Sequence, residues 1–221
     1  MNKFFFTLCT VLLPLCANAQ IDELFEQPEA KKEKTRVSIE EIKSSLGALP
    51  TENGKVVFRY ACDVPDIGKN EIYSLLGYWA EKRFEPEAKR ATWGEKNFFK
   101  NLPYSVVRQA SKADGFIKCQ GAEEIIVTNK TFVKNWAEIY YTLTLNVTGN
   151  HVDAVVSNIY YITDAEGDRA KLTAEEFISN ESISNAGGRF IRNAAKYRAE
   201  TSKMFEQLFS EIKIVANSKK K

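Results

Sequence analysis

Few residues in this chain have the types and spacing for chemistry, and His151 heads them. It is the one histidine in 221 residues. Any Ser-His-Asp or Cys-His reaction would have to run through it. It follows Gly149-Asn150, a dipeptide that suits a hairpin turn, and turn residues stand in water. The expectation is an exposed turn residue. No G-x-S-x-G elbow and no H-E-x-x-H zinc pair occurs in the sequence.

Asp164, Glu166, Asp168 and Glu175 fall at positions 1, 3, 5 and 12 of a calcium-loop spacing. The loop needs Gly at position 6 for its sharp turn, and Arg169 stands there. The segment also follows a strand pattern rather than a helix. An acidic solvated turn is the expectation, with no metal. Ala186-Gly187-Gly188-Arg189 precedes a long helical pattern, where backbone N–H groups can hold an anion. Without a preceding strand or a P-loop lysine, it reads as a flexible helix entry. The pairs Glu123-Glu124 and Glu175-Glu176 do not make a glycosidase site. Neighbouring strand residues point to opposite faces, and no substrate groove can be read around them. No catalytic residue and no cofactor are assigned.

The element that organises the rest is Trp136–Thr163, two β-runs joined at Gly149-Asn150. A two-residue turn there pairs Thr148 with His151 and Val147 with Val152. Counting outward, Leu145 faces Ala154, Leu143 faces Val156, Tyr141 faces Asn158 and Ile139 faces Tyr160. That face is mostly apolar and is assigned to the core. The other face pairs Thr144 with Val155, Thr142 with Ser157, Tyr140 with Ile159 and Glu138 with Tyr161. It is mixed, as on a sheet partly open to water. Its Tyr140, Ile159, Tyr161 and Val155 form the candidate binding face, since tyrosine suits interfaces.

The chain opens MNKFFFTLCTVLLPLCANAQ. Lys3 is a short charged region, Phe4–Leu15 an apolar one, and Ala17-Asn18-Ala19 a small-residue cleavage site. Residues 1–19 read as a signal peptide cut before Gln20, which places the protein in the periplasm or outside the cell. Leu15 before Cys16 argues against lipidation. No other stretch is apolar enough to span a bilayer. The formal net charge is +2, and the leader holds only Lys3, so nothing favours nucleic acid. Cys62 and Cys119 remain after cleavage. In an oxidising compartment they can pair, although two small strand residues are the simpler reading.

Residues 20–50 read as a linker or peripheral segment, with a capped helix possible at Ser38–Leu46. A single domain spans 51–216, and 217–221 is a basic tail. Lys55–Cys62 alternates as a strand with Val56, Phe58, Tyr60 and Cys62 on one face. Lys69–Phe84 carries Ile72, Leu75, Leu76 and Trp79 at helical spacing. Glu85–Leu102 is a longer connection whose Trp93, Phe98 and Phe99 read as packing over the core. Tyr104–Ala110 and Gly115–Val127 are two further strands, the second expected to bulge at Gly121. After the hairpin come a short helix near Thr173–Ile178, capped by Thr173 with Glu176, and a long helix over about 188–214. The helix crossover and three hairpins give an α+β fold. It is a five-stranded antiparallel sheet in the order 1-5-4-3-2, with both helices on one face. In that order strand one does not neighbour strand three, which argues against a Cys62–Cys119 bond.

The first strand, Val64-Pro65, Glu71-Ile72-Tyr73, Trp79 and Phe84 resemble a family of exported Bacteroidetes proteins. It is a domain of unknown function with a TBP-like fold. The resemblance covers about residues 50–165, and the last helix extends it. It implies the βαββββα layout and supplies no activity and no catalytic residues. The functional expectation is a non-enzymatic envelope module binding an unknown protein or envelope component, not integral to the membrane and not a nucleic-acid binder. The alternatives are a hydrolase using an acidic pair or His151, and a purely structural envelope protein.

Overall fold

The computed structural model describes residues 46–47, 49–86, 89–90, 99–130, 133–165, 168–183 and 192–218. The expected signal peptide, the expected linker helix except its last residue, Trp93, Phe98, Gly187-Gly188 and Lys219–Lys221 lie outside the described residues.

A small ladder of β1 (Thr51–Glu52) and β2 (Lys55–Val56) precedes β3 (Phe58–Asp63). Helix α1 (Lys69–Arg83) follows. It buries Ile72, Leu75, Leu76 and Trp79, the stripe its spacing predicts. Glu71 in its first turn and Lys82 and Arg83 in its last complement the helix dipole. The long connection carries a short ladder of β4 (Lys89–Arg90) with β5 (Phe99–Lys100). Then come β6 (Val106–Ser111), β7 (Phe116–Lys130), β8 (Val133–Thr148), β9 (His151–Ala165) and β10 (Asp168–Thr173). Helix α2 (Ala174–Phe177) and helix α3 (Arg192–Ala216) close the described chain. The Thr173–Glu176 capping box at the start of α2 is formed from both sides.

The main sheet runs β6-β7-β8-β9, and β3 and β10 share the far edge of β9. Its antiparallel core order is the one the crossover argument predicts. The sheet has six strands rather than five, because Asp168–Thr173 pairs with Tyr160–Ala165. β3 takes the first part of β9 and β10 the last. Their seam is stitched by Glu175, whose Oε1 accepts the Val56 N–H at 2.6 Å.

Helices and core lie on one side. Phe205 of α3 packs against Phe58 and Tyr141, and the Tyr161 hydroxyl meets Thr201 Oγ1 at 2.7 Å. Cys62 and Cys119 are both free. They sit on β3 and β7, with β9 and β8 between them. Among the described residues no helix is long and apolar enough to cross a membrane.

Two local expectations need correction. The register runs unbroken through Gly121, which pairs with Tyr141; the β7 irregularity lies between Ile126 and Thr128. The central hairpin keeps the expected register only from its turn to Thr142–Ser157. Beyond it Tyr140 pairs with Tyr160, so β9 advances three residues while β8 advances two. Asn158 takes the extra step at φ +52°, a left-handed conformation that asparagine tolerates. A one-residue bulge inverts every later side chain on its strand. Ile159 and Tyr161 therefore turn into the core and Tyr160 turns out, the reverse of the simple count.

Candidate functional site

The helix-free face is the candidate surface, and its composition changes along the strands. Near the hairpin turn it is polar, with Lys118, Thr144, Thr142, Ser157 and Gln120. Past the Asn158 bulge it becomes aromatic. Tyr140 and Tyr160 are cross-strand partners whose rings lie parallel, 4.8 Å between centroids. The Tyr104 ring lies 6.3 Å from Tyr140 on its other flank. Between them β7 contributes only Ala122, the partner of Tyr140, which is buried. At the opposite end the Lys171 ammonium sits 4.0 Å from the Tyr160 centroid, a cation–π contact across β9 and β10.

Carboxylate and guanidinium groups hold the row. The Tyr140 hydroxyl donates to Glu138 Oε2 at 2.8 Å, and Arg169 Nη2 donates to Glu138 Oε1 at 2.6 Å. Burial first, and then Glu138, push the Tyr140 phenol far above its ordinary range, so it stays a donor. Stacking also decides what the row can do. The ring faces of Tyr140 and Tyr160 are spent on each other, and Tyr140 is only 5% exposed. Tyr104 is 62% exposed and offers a whole ring. The arrangement can grip a partner through Tyr104, the Lys171 charge and phenolic edges. It is no nucleophile–base pair.

The four residues expected on this face divide. Tyr140 and the half-buried Val155 are on it; Ile159 and Tyr161 are buried beneath the helices. Tyr104, Tyr160 and Lys171 are the surface residues that the count missed. The one sequence signal for Tyr160 was Asn158, a residue able to take positive φ in mid-strand. For Tyr104 the signal was Pro103 before it, which marks a loop rather than a strand start.

The remaining chemical candidates are engaged in structure. His151 Nδ1 lies 2.6 Å from Asp63 and Nε2 3.5 Å from Asp153. Asp164 and Arg169 are ladder partners in the β9–β10 hairpin, and so are Ala165 and Asp168, while Glu166 lies outside the described residues. Among the described residues no cluster of three His, Cys, Asp or Glu could hold a metal. Glu123 is buried, accepts from Arg83 Nη2 at 3.2 Å and takes the Tyr141 hydroxyl. Arg83 also donates through Nε to Glu211 at 3.2 Å. Burial opposes the Arg83 charge, but Glu123, Tyr141 and Glu211 outweigh it and keep the guanidinium charged.

This layout has relatives. The model of a domain of unknown function with a TBP-like fold, DUF4468, matches residues 58–162. Residues 58–162 thus resemble a DUF4468 domain. A crystal structure of a DUF4468 family protein from Bacteroides ovatus superposes with a TM-score of 0.62 at 22% identity, covering 86% of this chain and 98% of that one. A TBP-like protein from Parabacteroides distasonis gives a TM-score of 0.62 at 21% identity, covering 77% of this chain and 99% of that one. At such identities these DUF4468 and TBP-like neighbours speak for the fold alone. No curated protein matches the chain.

Proposed function

We propose that this chain is an exported, non-enzymatic binding module of the cell envelope, and that it meets its partner through the open face of its sheet. The observation that carries the reading is Tyr104, a large ring 62% exposed at the head of a braced tyrosine row. Exposed aromatic rings on a rigid support are the usual anchors of interfaces. The N-terminal leader pattern supports export. The hydrolase reading has less to stand on, because Glu123 is committed to Arg83 and Tyr141.

The test is affinity capture from native envelope fractions with a C-terminally tagged chain, beside a Tyr104→Ala/Lys171→Ala variant. Both positions lie at the surface, so the variant keeps its fold. Tyr140 and Tyr161 are unsuitable, since both are buried. The reading expects a component retained by the parent and lost by the folded variant. An identical set of components on both would remove the open face as the contact surface.

A further inference from the structure

The sole histidine stands where three parts of the chain meet. β3 ends at Asp63, which is the ladder partner of His151. The next residue, Val64, donates its backbone N–H to the Asn150 carbonyl in the hairpin turn at 2.8 Å. A carboxylate faces each ring nitrogen of His151, Asp63 at 2.6 Å and Asp153 at 3.5 Å. A neutral imidazole has one N–H and one lone pair. Between two carboxylates it satisfies one and turns its lone pair on the other. Only the imidazolium donates to both.

We propose that His151 is a proton-operated clasp that, when charged, draws Asp63 and Asp153 together and fastens the β3–α1 corner to the hairpin turn, and that loosens this corner when neutral. Among the described residues Arg59 on β3 also senses the Asp153 charge. Its guanidinium is bonded to Glu52. The hydrogen bond to Asp63 raises the His151 pKa; desolvation opposes the rise and the Asp153 charge adds to it. A group raised on folding stabilises below its unfolded pKa and loses that contribution as pH climbs through its folded value. The ring is 40% exposed and screened by water. The effect therefore falls on local opening rather than on global unfolding.

NMR titration of the folded chain tests this, because a single histidine gives an unambiguous signal. The expected result is titration above 6.5, the ordinary value. Asp63→Asn should lower it most and Asp153→Asn less. Exchange of the Val64 amide, corrected for intrinsic base catalysis, should quicken several-fold across the same pH interval, and that step should vanish in His151→Asn. Titration at or below the ordinary value, indifference to both Asn substitutions, or Val64 exchange that follows the intrinsic curve alone would overturn the clasp.

Discussion

Gly121 and Tyr141 are cross-strand partners, and the Tyr141 ring lies where a side chain at 121 would begin. A Cβ built on Gly121 would sit 2.1 Å from Tyr141 Cζ. The glycine is there for close approach, not for a bulge. Its missing side chain lets the ring lie flat across the sheet and deliver its hydroxyl to Glu123. Gly121→Ala should therefore destabilise by about 1–3 kcal/mol through overpacking. Tyr141→Phe keeps the ring but strips Glu123 of a buried donor, at about 1–3 kcal/mol. Urea unfolding of both variants checks this; an alanine at 121 as stable as glycine would contradict the packing.

The Arg83–Glu123 pair predicts non-additive mutational costs. Arg83→Met leaves a buried carboxylate without its cation and should cost about 3–5 kcal/mol. Among the described residues the buried Arg83 Nη1 has no hydrogen-bond partner. The double variant Arg83→Met/Glu123→Met should consequently cost less than the sum of its single changes. Chemical denaturation of the four-protein cycle decides this, and strict additivity would count against coupling.

Asn158 sets the facing of the outer part of β9. Its positive φ burdens a β-branched replacement, so Asn158→Val should lose about 1–2 kcal/mol. Asn158→Gly should be near neutral, because glycine takes that conformation freely. Equal stability of the valine and glycine variants would mean that the bulge is not fixed by this residue.

The thiols should behave unequally. Cys119 is buried, and burial pushes its thiol up to about 12. Cys62 is half-buried on β3. In native buffer a thiol reagent should label Cys62 well before Cys119, and in guanidinium both should react at once. Peptide mapping of the labelled chain reads the difference directly. Early labelling of Cys119 would contradict its placement.

How much the sequence disclosed depends on the range of the interactions involved. Strand order followed from connection rules, and the α1 stripe from spacing. The Thr173–Glu176 box was readable because both partners are local. The facing of Tyr160 and Tyr161 was not, because one inserted residue reverses parity and only the folded ladder shows where it falls. β10 was hidden in an acidic stretch that resembled a turn. Tyr104 earns its place only when the loop before β6 brings it beside Tyr140, a contact with no periodic trace. Arg83, Glu123 and Glu211 stand far apart in sequence, and only the fold brings them together.

The position of the candidate surface rests on the Asn158 bulge, and hydroxyl-radical footprinting of the folded chain tests that most directly. Tyr104 should be heavily oxidised and Tyr160 to an intermediate extent, with Ile159 and Tyr161 protected. Strong labelling of Tyr161 with protection of Tyr160 would contradict it, restoring the unbulged register and moving the surface with it.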